Sequence, residues 1–194
     1  MMDRIVLKDS VTVGMTDNKF LQFCQGNQHL RIERNSNLEV SIKPPASLRS
    51  SFYSGVVCAR LSNWSIANTG GMVFDSSAGF TLPDRSVLSP NASWVSRAKW
   101  DRLTEEDKNR FAPICPEFVI EVRSKSDHLS DLKKKMDVWM ANGTELAWLI
   151  DPEEKTTYIF RSNGEEVSLT GFDRKISGEG PVEGFVLDLS LLRL

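Results

Sequence analysis

Pro116 to Ile150 reads PEFVIEVRSKSDHLSDLKKKMDVWMANGTELAWLI, and these residues decide the fold. Glu117 to Arg123 has the pattern of a strand. Side chains alternate along an extended chain, so Phe118, Ile120 and Val122 share one face while Glu117, Val119, Glu121 and Arg123 share the other. Leu129 to Asn142 is helical, with Leu132, Met136, Trp139 and Met140 on its buried side, an expected Asp131 to Lys135 pair one turn apart, and Gly143 as its stop. Glu145 to Ile150 is a nearly continuous apolar strand, the kind that lies at a sheet centre with both faces covered. Strand, helix and strand together make a βαβ unit, whose strands run parallel with a right-handed crossover.

Working outward, Thr16 to Gln25 is a short capped helix closed by Gly26-Asn27. Leu30 to Glu33 and Leu38 to Ile42 form a hairpin around Asn35-Ser36-Asn37, stopped by Pro44-Pro45. Ser47 to Asn68 repeats apolar residues at helical spacing through Leu48, Phe52, Val56 and Trp64. Gly71 to Asp75 and Gly79 to Leu82 are expected to pair across Ser76-Ser77-Ala78, and Ala92 to Val95 is another strand. The mixed charges of Arg97 to Arg110 read as a solvated helix or loop. Thr156 to Phe160, Val167 to Leu169 and Phe185 to Leu187 supply hairpin or edge strands. With no repeats and no low-complexity linkers, residues 1–194 are read as one mixed α/β domain.

The chain is 40% hydrophobic and 26% charged, with a formal net charge of -2, ordinary for a globular protein and opposed to coating nucleic acid through bulk positive charge. Any nucleic-acid role must be local. The three cysteines, Cys24, Cys58 and Cys115, form no CxxC pair and read as reduced residues of a cytoplasmic protein. The start, MMDRIVLKDS, lacks the apolar core of a signal peptide, and no apolar run reaches the roughly 20 residues that span a bilayer. The two histidines, His29 and His128, lack zinc spacing, and neither GxxxxGK[ST] nor GxGxxG occurs, so no nucleotide cofactor is expected.

An acid in a strand flanked by Val and Ile is costly unless paired or metal-bound. Glu121 is therefore either half of a structural ion pair, with Arg123 or a lysine of the next helix, or a ligand for a divalent cation, which takes oxygen donors and leaves positions for water and phosphate. Of Lys133-Lys134-Lys135, successive residues point about 100 degrees apart. Lys135, four residues before Trp139, sits at the border of core and surface, where a stem can be buried and an ammonium presented to the sheet edge.

The ordered blocks Arg31-Ile32-Glu33, Ser89 to Val95 (SPNASWV), Cys115 to Asp127 (CPEFVIEVRSKSD), KKMDVWMANG and ELAWLIDP resemble the Uma family (Uma-two type) of restriction endonucleases, within the PD-(D/E)XK nuclease superfamily. The resemblance runs from about Met15 to about Phe160. It implies a four-stranded, restriction-endonuclease-like mixed β-sheet flanked by helices, extended here by extra β-hairpins. It also implies Mg2+ or Mn2+ as cofactor, DNA as partner, and hydrolysis of phosphodiester bonds by a homodimer. On this reading Glu121 is the strand acid and a metal ligand, and Lys135 is a lysine moved from the strand to the following helix. Arg123 stands where the superfamily has lysine and contributes charge, while Glu33 is an auxiliary ligand or water-orienting acid.

Asn91 departs from the family, which has Asp after the proline of this block. An amide oxygen can ligate a divalent ion, but it carries no charge. Three readings stay open: an inactive descendant acting as a nucleic-acid or protein binding module, a weak enzyme, or an enzyme in which Asp75 or Asp84 substitutes. Either aspartate also suits a turn.

Overall fold

The computed structural model describes residues 5–7, 15–43, 45–68 and 70–194. Pro44 and most of the first fourteen residues, on which the hairpin stop and the reading of the N-terminus fall, lie outside them. Strand β1 is Ile5–Leu7. Thr16 caps helix α1 (Asp17–Gln25), its hydroxyl accepting from the Lys19 N–H. Strands β2 (Arg31–Arg34) and β3 (Val40–Lys43) form the expected hairpin, turned by Asn35, whose side-chain oxygen accepts from the Glu39 N–H. Helix α2 is Leu48–Asn68, followed by β4 (Gly71–Asp75), β5 (Phe80–Thr81), β6 (Val87–Leu88) and β7 (Ala92–Ser96). The charged stretch folds as two short helices, α3 (Arg97–Trp100) and α4 (Glu105–Lys108), each opened by a hydroxyl cap at Ser96 or Thr104. Then come β8 (Phe118–Val122), α5 (Leu129–Ala141), β9 (Leu146–Asp151), β10 (Thr156–Arg161), β11 (Glu166–Thr170), β12 (Lys175–Ser177) and β13 (Val186–Asp188).

The main sheet has six strands in the order β11-β10-β9-β8-β7-β4 rather than four, because the C-terminal hairpin and β4 extend both edges. Only β8 and β9 are parallel, from Phe118↔Leu146 to Val122↔Ile150, as the βαβ pattern requires. Alternation then sorts the core. Phe118, Ile120, Trp148 and Ile150 pack with Tyr53, Val57 and Leu61 of α2, while Val119, Ala147 and Leu149 pack with Leu132, Met136 and Trp139 of α5. Full burial of one such aliphatic or aromatic side chain stabilises by roughly 1.5–3 kcal/mol, so a one-residue slip of β8 would forfeit several at once. Glu121, sharing parity with Val119, is thereby committed to the α5 face.

A second sheet, β1-β3-β2-β6-β5, packs Ile32 and Val40 against Phe20 of α1. Two expectations are corrected. Gly71–Asp75 and Gly79–Leu82 do not pair: β4 pairs with β7 and β5 with β6, because Asp75 accepts from the Ser77 N–H and hydroxyl and turns the chain into the second sheet. The pair at Asp131 is with Lys134, at 4.0 Å, not with Lys135, whose side chain is turned into the protein. Strands β1, β6 and β12 were not anticipated.

Candidate active site

Strand parity delivers Glu121 to α5, and helical periodicity delivers Lys135 to Glu121. Lys135 Nζ lies 2.7 Å from Glu121 Oε1 and 2.6 Å from Glu33 Oε1, and it donates to the Ser89 carbonyl at 3.0 Å. Three ammonium protons thus meet three oxygens, which satisfies the group completely. Trp139, one turn further along α5, donates its Nε1–H to Glu121 Oε1 at 3.2 Å. The Ser89 N–H donates to Glu33 Oε1 at 3.0 Å, so the backbone just before Asn91 holds both the lysine and the second acid. Glu121 is 3% exposed, and the side chains of Lys135 and Glu33 are 12% and 13% exposed.

The charges are mutually sustained. Burial pushes the Glu33 carboxyl up, but Lys135, Lys43 and the hydrogen bonds from Lys135 and the Ser89 N–H outweigh it and hold the carboxyl down at about 2. Burial likewise pulls the Lys135 ammonium down, and Glu121 and Glu33 reverse the direction and raise it. At neutral pH Lys135 is a fixed cation.

Two other residues expected at the site are engaged elsewhere. Arg123 donates to Asp151 Oδ2 at 2.7 Å and to the Asp127 carbonyl at 3.1 Å, which ties the end of β8 to the fully buried acid at the end of β9. Asn91, 6% exposed, accepts from the Val122 N–H at 2.8 Å and donates to Ser54 Oγ at 2.7 Å. Its amide therefore joins β8 to α2 and makes no hydrogen bond to Glu33, Glu121 or Lys135 among the described residues. Asp75 and Asp84 hold turns through Ser77 and Ser86. Sequence reasoning missed Ser89, Trp139 and Lys43. Trp139 carried a signal, since it lies four residues after Lys135 on one helix face.

The donor set fits a hard divalent cation of the magnesium type. Lys135 engages one oxygen of each acid, and among the described residues no hydrogen bond reaches Oε2 of Glu33 or Oε2 of Glu121. Two carboxylate oxygens with the remaining positions left to water and phosphate is the usual provision for magnesium. Among the described residues no group of three or more His, Cys, Asp or Glu is placed to hold a metal ion, so a cation here would rest on the two acids and on water and phosphate. Glu33, Ser89 and Lys43 also line a cleft of about 690 Å³ whose further walls include Arg31, Trp100 and Phe111.

No curated protein matches the chain. The crystal structure described as a "putative nuclease belonging to DUF820" from Anabaena variabilis ATCC 29413 superposes with a TM-score of 0.69 over 83% of this chain and 88% of that one, at 19% identity, which shows a shared fold. A part of the DrdV-DNA complex matches at a TM-score of 0.37, with 10% identity, 58% of this chain and 9% of that one, too slight to carry an argument. The family model described as "Putative restriction endonuclease" (Uma2) matches residues 17–190. With residues 17–190 matched, nearly its whole length, the chain belongs to the Uma2 family.

Proposed function

We propose that the protein is an endonuclease that hydrolyses DNA phosphodiester bonds with Mg2+ or Mn2+, the ion held by Glu121 and Glu33. The observation that carries the reading is the Glu33–Lys135–Glu121 cluster: two acids, Glu121 buried and Glu33 partly so, and a lysine from three separate elements converge beside a cleft that Glu33 lines. The bound cation supplies an acidified water and charge neutralisation at the phosphate. Lys135, its three N–H groups held by the two acids and the Ser89 carbonyl, would act through its fixed positive charge beside the phosphate, where negative charge grows as water adds to phosphorus and the P–O bond to the leaving alcohol breaks. Trp139 and the Ser89 backbone position Glu121 and Glu33 by holding one oxygen of each. Arg123, bound to Asp151, acts on this site only by fixing the end of β8. Two copies related by symmetry are the simplest arrangement for cutting both strands.

A second reading, a non-catalytic nucleic-acid or protein binding module on the same fold, is favoured by one observation: the Asn91 amide, at the position where the resemblance implies a carboxylate, is used at both ends for structural bonds. Supercoiled plasmid with magnesium or manganese separates the two. Metal-dependent nicking that disappears in Glu121→Ala supports the enzyme. An inert parent that gains nicking as Asn91→Asp identifies a decayed site, because the substitution restores the missing charge. If both are inert and calorimetry detects no metal binding, the nuclease reading fails.

A further inference from the structure

Strands β2 and β3 place two cations directly opposite each other. Arg31 pairs with Lys43 in the register that also pairs Glu33 with Ser41, and alternation puts all four on one face, away from the Ile32 and Ile42 pair that lies beside α1. Like charges directly opposite on neighbouring strands are destabilising. Lys43 is partly compensated by Asp127 at 3.0 Å, whereas Arg31 makes no ion pair among the described residues. Both line the cleft that Glu33 borders, and so do Lys108 and Trp100, the ammonium of Lys108 lying 5.1 Å over the Trp100 ring. A cation pair beside the acid cluster, followed by half-buried aromatics, is an arrangement for a phosphate backbone and an unstacked base.

At about 690 Å³ the cleft is within the range of roughly 300–1,000 Å³ that encloses small ligands. A base still stacked and paired in a duplex cannot enter such a space. Charge sets the polarity of the occupant: Lys43 is held by Asp127 at 3.0 Å and Lys108 by Glu105 at 2.7 Å, while Arg31 makes no ion pair among the described residues and is left to meet an anion.

We infer that this cleft binds a single nucleic-acid strand, with Arg31 and Lys43 on a phosphate next to the scissile one and Trp100 stacking on a base. The inference deepens the nuclease reading of the same site by naming its substrate as a single-stranded or locally opened segment. Duplex DNA is then cut only where it opens.

The test is fluorescence polarisation in EDTA with fluorescein-labelled 12-mers: a single deoxy strand, the same sequence as a duplex, and the single ribo strand. The single strand of one or both sugars is expected to bind at least about tenfold more tightly than the duplex. Arg31→Gln and Lys43→Gln are each expected to weaken single-strand binding about tenfold and to lower the slope of log K against log salt by about 0.7, one phosphate contact. Trp100→Ala is expected to weaken binding about tenfold without changing that slope. Arg174→Gln, an exposed cation outside the cleft, serves as the control and is expected to leave both unchanged. Equal or tighter binding of the duplex overturns the inference, and so do Arg31 and Lys43 variants that behave like the control. Because no metal is present, binding as expected from a protein that never nicks DNA would sink catalysis alone, and nicking with unaltered binding in both variants would sink only this inference.

Discussion

Lys135 shows how much depends on one side chain's direction. Its neighbours Lys133 and Lys134 are held at the surface, by Glu166 at 2.6 Å and loosely by Asp131 at 4.0 Å, and such exposed pairs contribute little. Lys135 is the cation shared by two acids, Glu121 buried and Glu33 partly so, and Lys135→Met is expected to cost roughly 3–5 kcal/mol by leaving them uncompensated, while Lys134→Met stays within about 0.5 kcal/mol. Urea denaturation at pH 7 measures both. Asn91 is the other decisive residue. Asn91→Ala removes the acceptor for the buried Val122 N–H and is expected to cost about 1–3 kcal/mol. Asn91→Asp is expected to cost less, since a carboxylate still accepts that proton and the Ser54 hydroxyl can rotate to donate. The reverse order in denaturation would mean that the Asn91 side-chain NH2, not its oxygen, holds the strand end.

Elements are held in place by the contacts their sequences permit. Strand β4 lies against β7 so closely that a methyl group on Gly71 would sit 2.4 Å from the Val95 carbonyl oxygen and 2.6 Å from the Trp94 ring. Gly71→Ala is therefore expected to lower stability by about 1–3 kcal/mol through displacement of the edge strand. Gly55 is the opposite case: it lies inside α2 with nothing within 4 Å of the added methyl. Gly55→Ala is expected to raise stability by roughly 0.5–1 kcal/mol by favouring helix over unfolded chain. Thermal melts should move in opposite directions, and a common direction would show that the local packing around these glycines is misread. The same economy explains why β4 does not pair with β5, although the residues between them looked like a hairpin turn.

At the scale of the whole molecule, two ion pairs tie the second sheet to the main body: Glu33 of β2 to Lys135 of α5, and Lys43 of β3 to Asp127 before α5. Glu33 falls from an ordinary 4.5 to about 2 on folding, so its contribution is fully present above pH 4.5 and is lost as pH falls toward 2. A shift of this size corresponds to on the order of 3 kcal/mol. Burial also pushes the Asp127 carboxyl up, but Lys43 and Ser124 outweigh it and lower it, which adds loss in the same direction. Lys135, raised on folding, contributes below its unfolded value near 10.5 and loses that contribution at higher pH. Hydrogen exchange at pH 3 is therefore expected to rise in β2 and β3 before β8 and β9, and Glu33→Gln is expected to flatten the acid limb of the stability curve. Simultaneous loss of protection in both sheets would count against the tether.

By itself the sequence determined the β8–α5–β9 unit, the face on which Glu121 lies, the hairpin that carries Glu33 and the family blocks, because alternation and helical period are properties of a short stretch of backbone. Which acid Lys135 meets, and which strand β4 meets, depended on segments far apart in the chain. Glu33 and Lys135 are 102 residues apart, and Asn91 reaches Val122 across 31 and Ser54 across 37. Several acids could have claimed Lys135, Asp131 on its own helix among them, and only the packed arrangement of α5 over β8 turned it inward to Glu121 and Glu33. The same packing turned the Asn91 amide toward α2 and the Val122 backbone, since buried polar groups take the partners that the surrounding fold brings within reach.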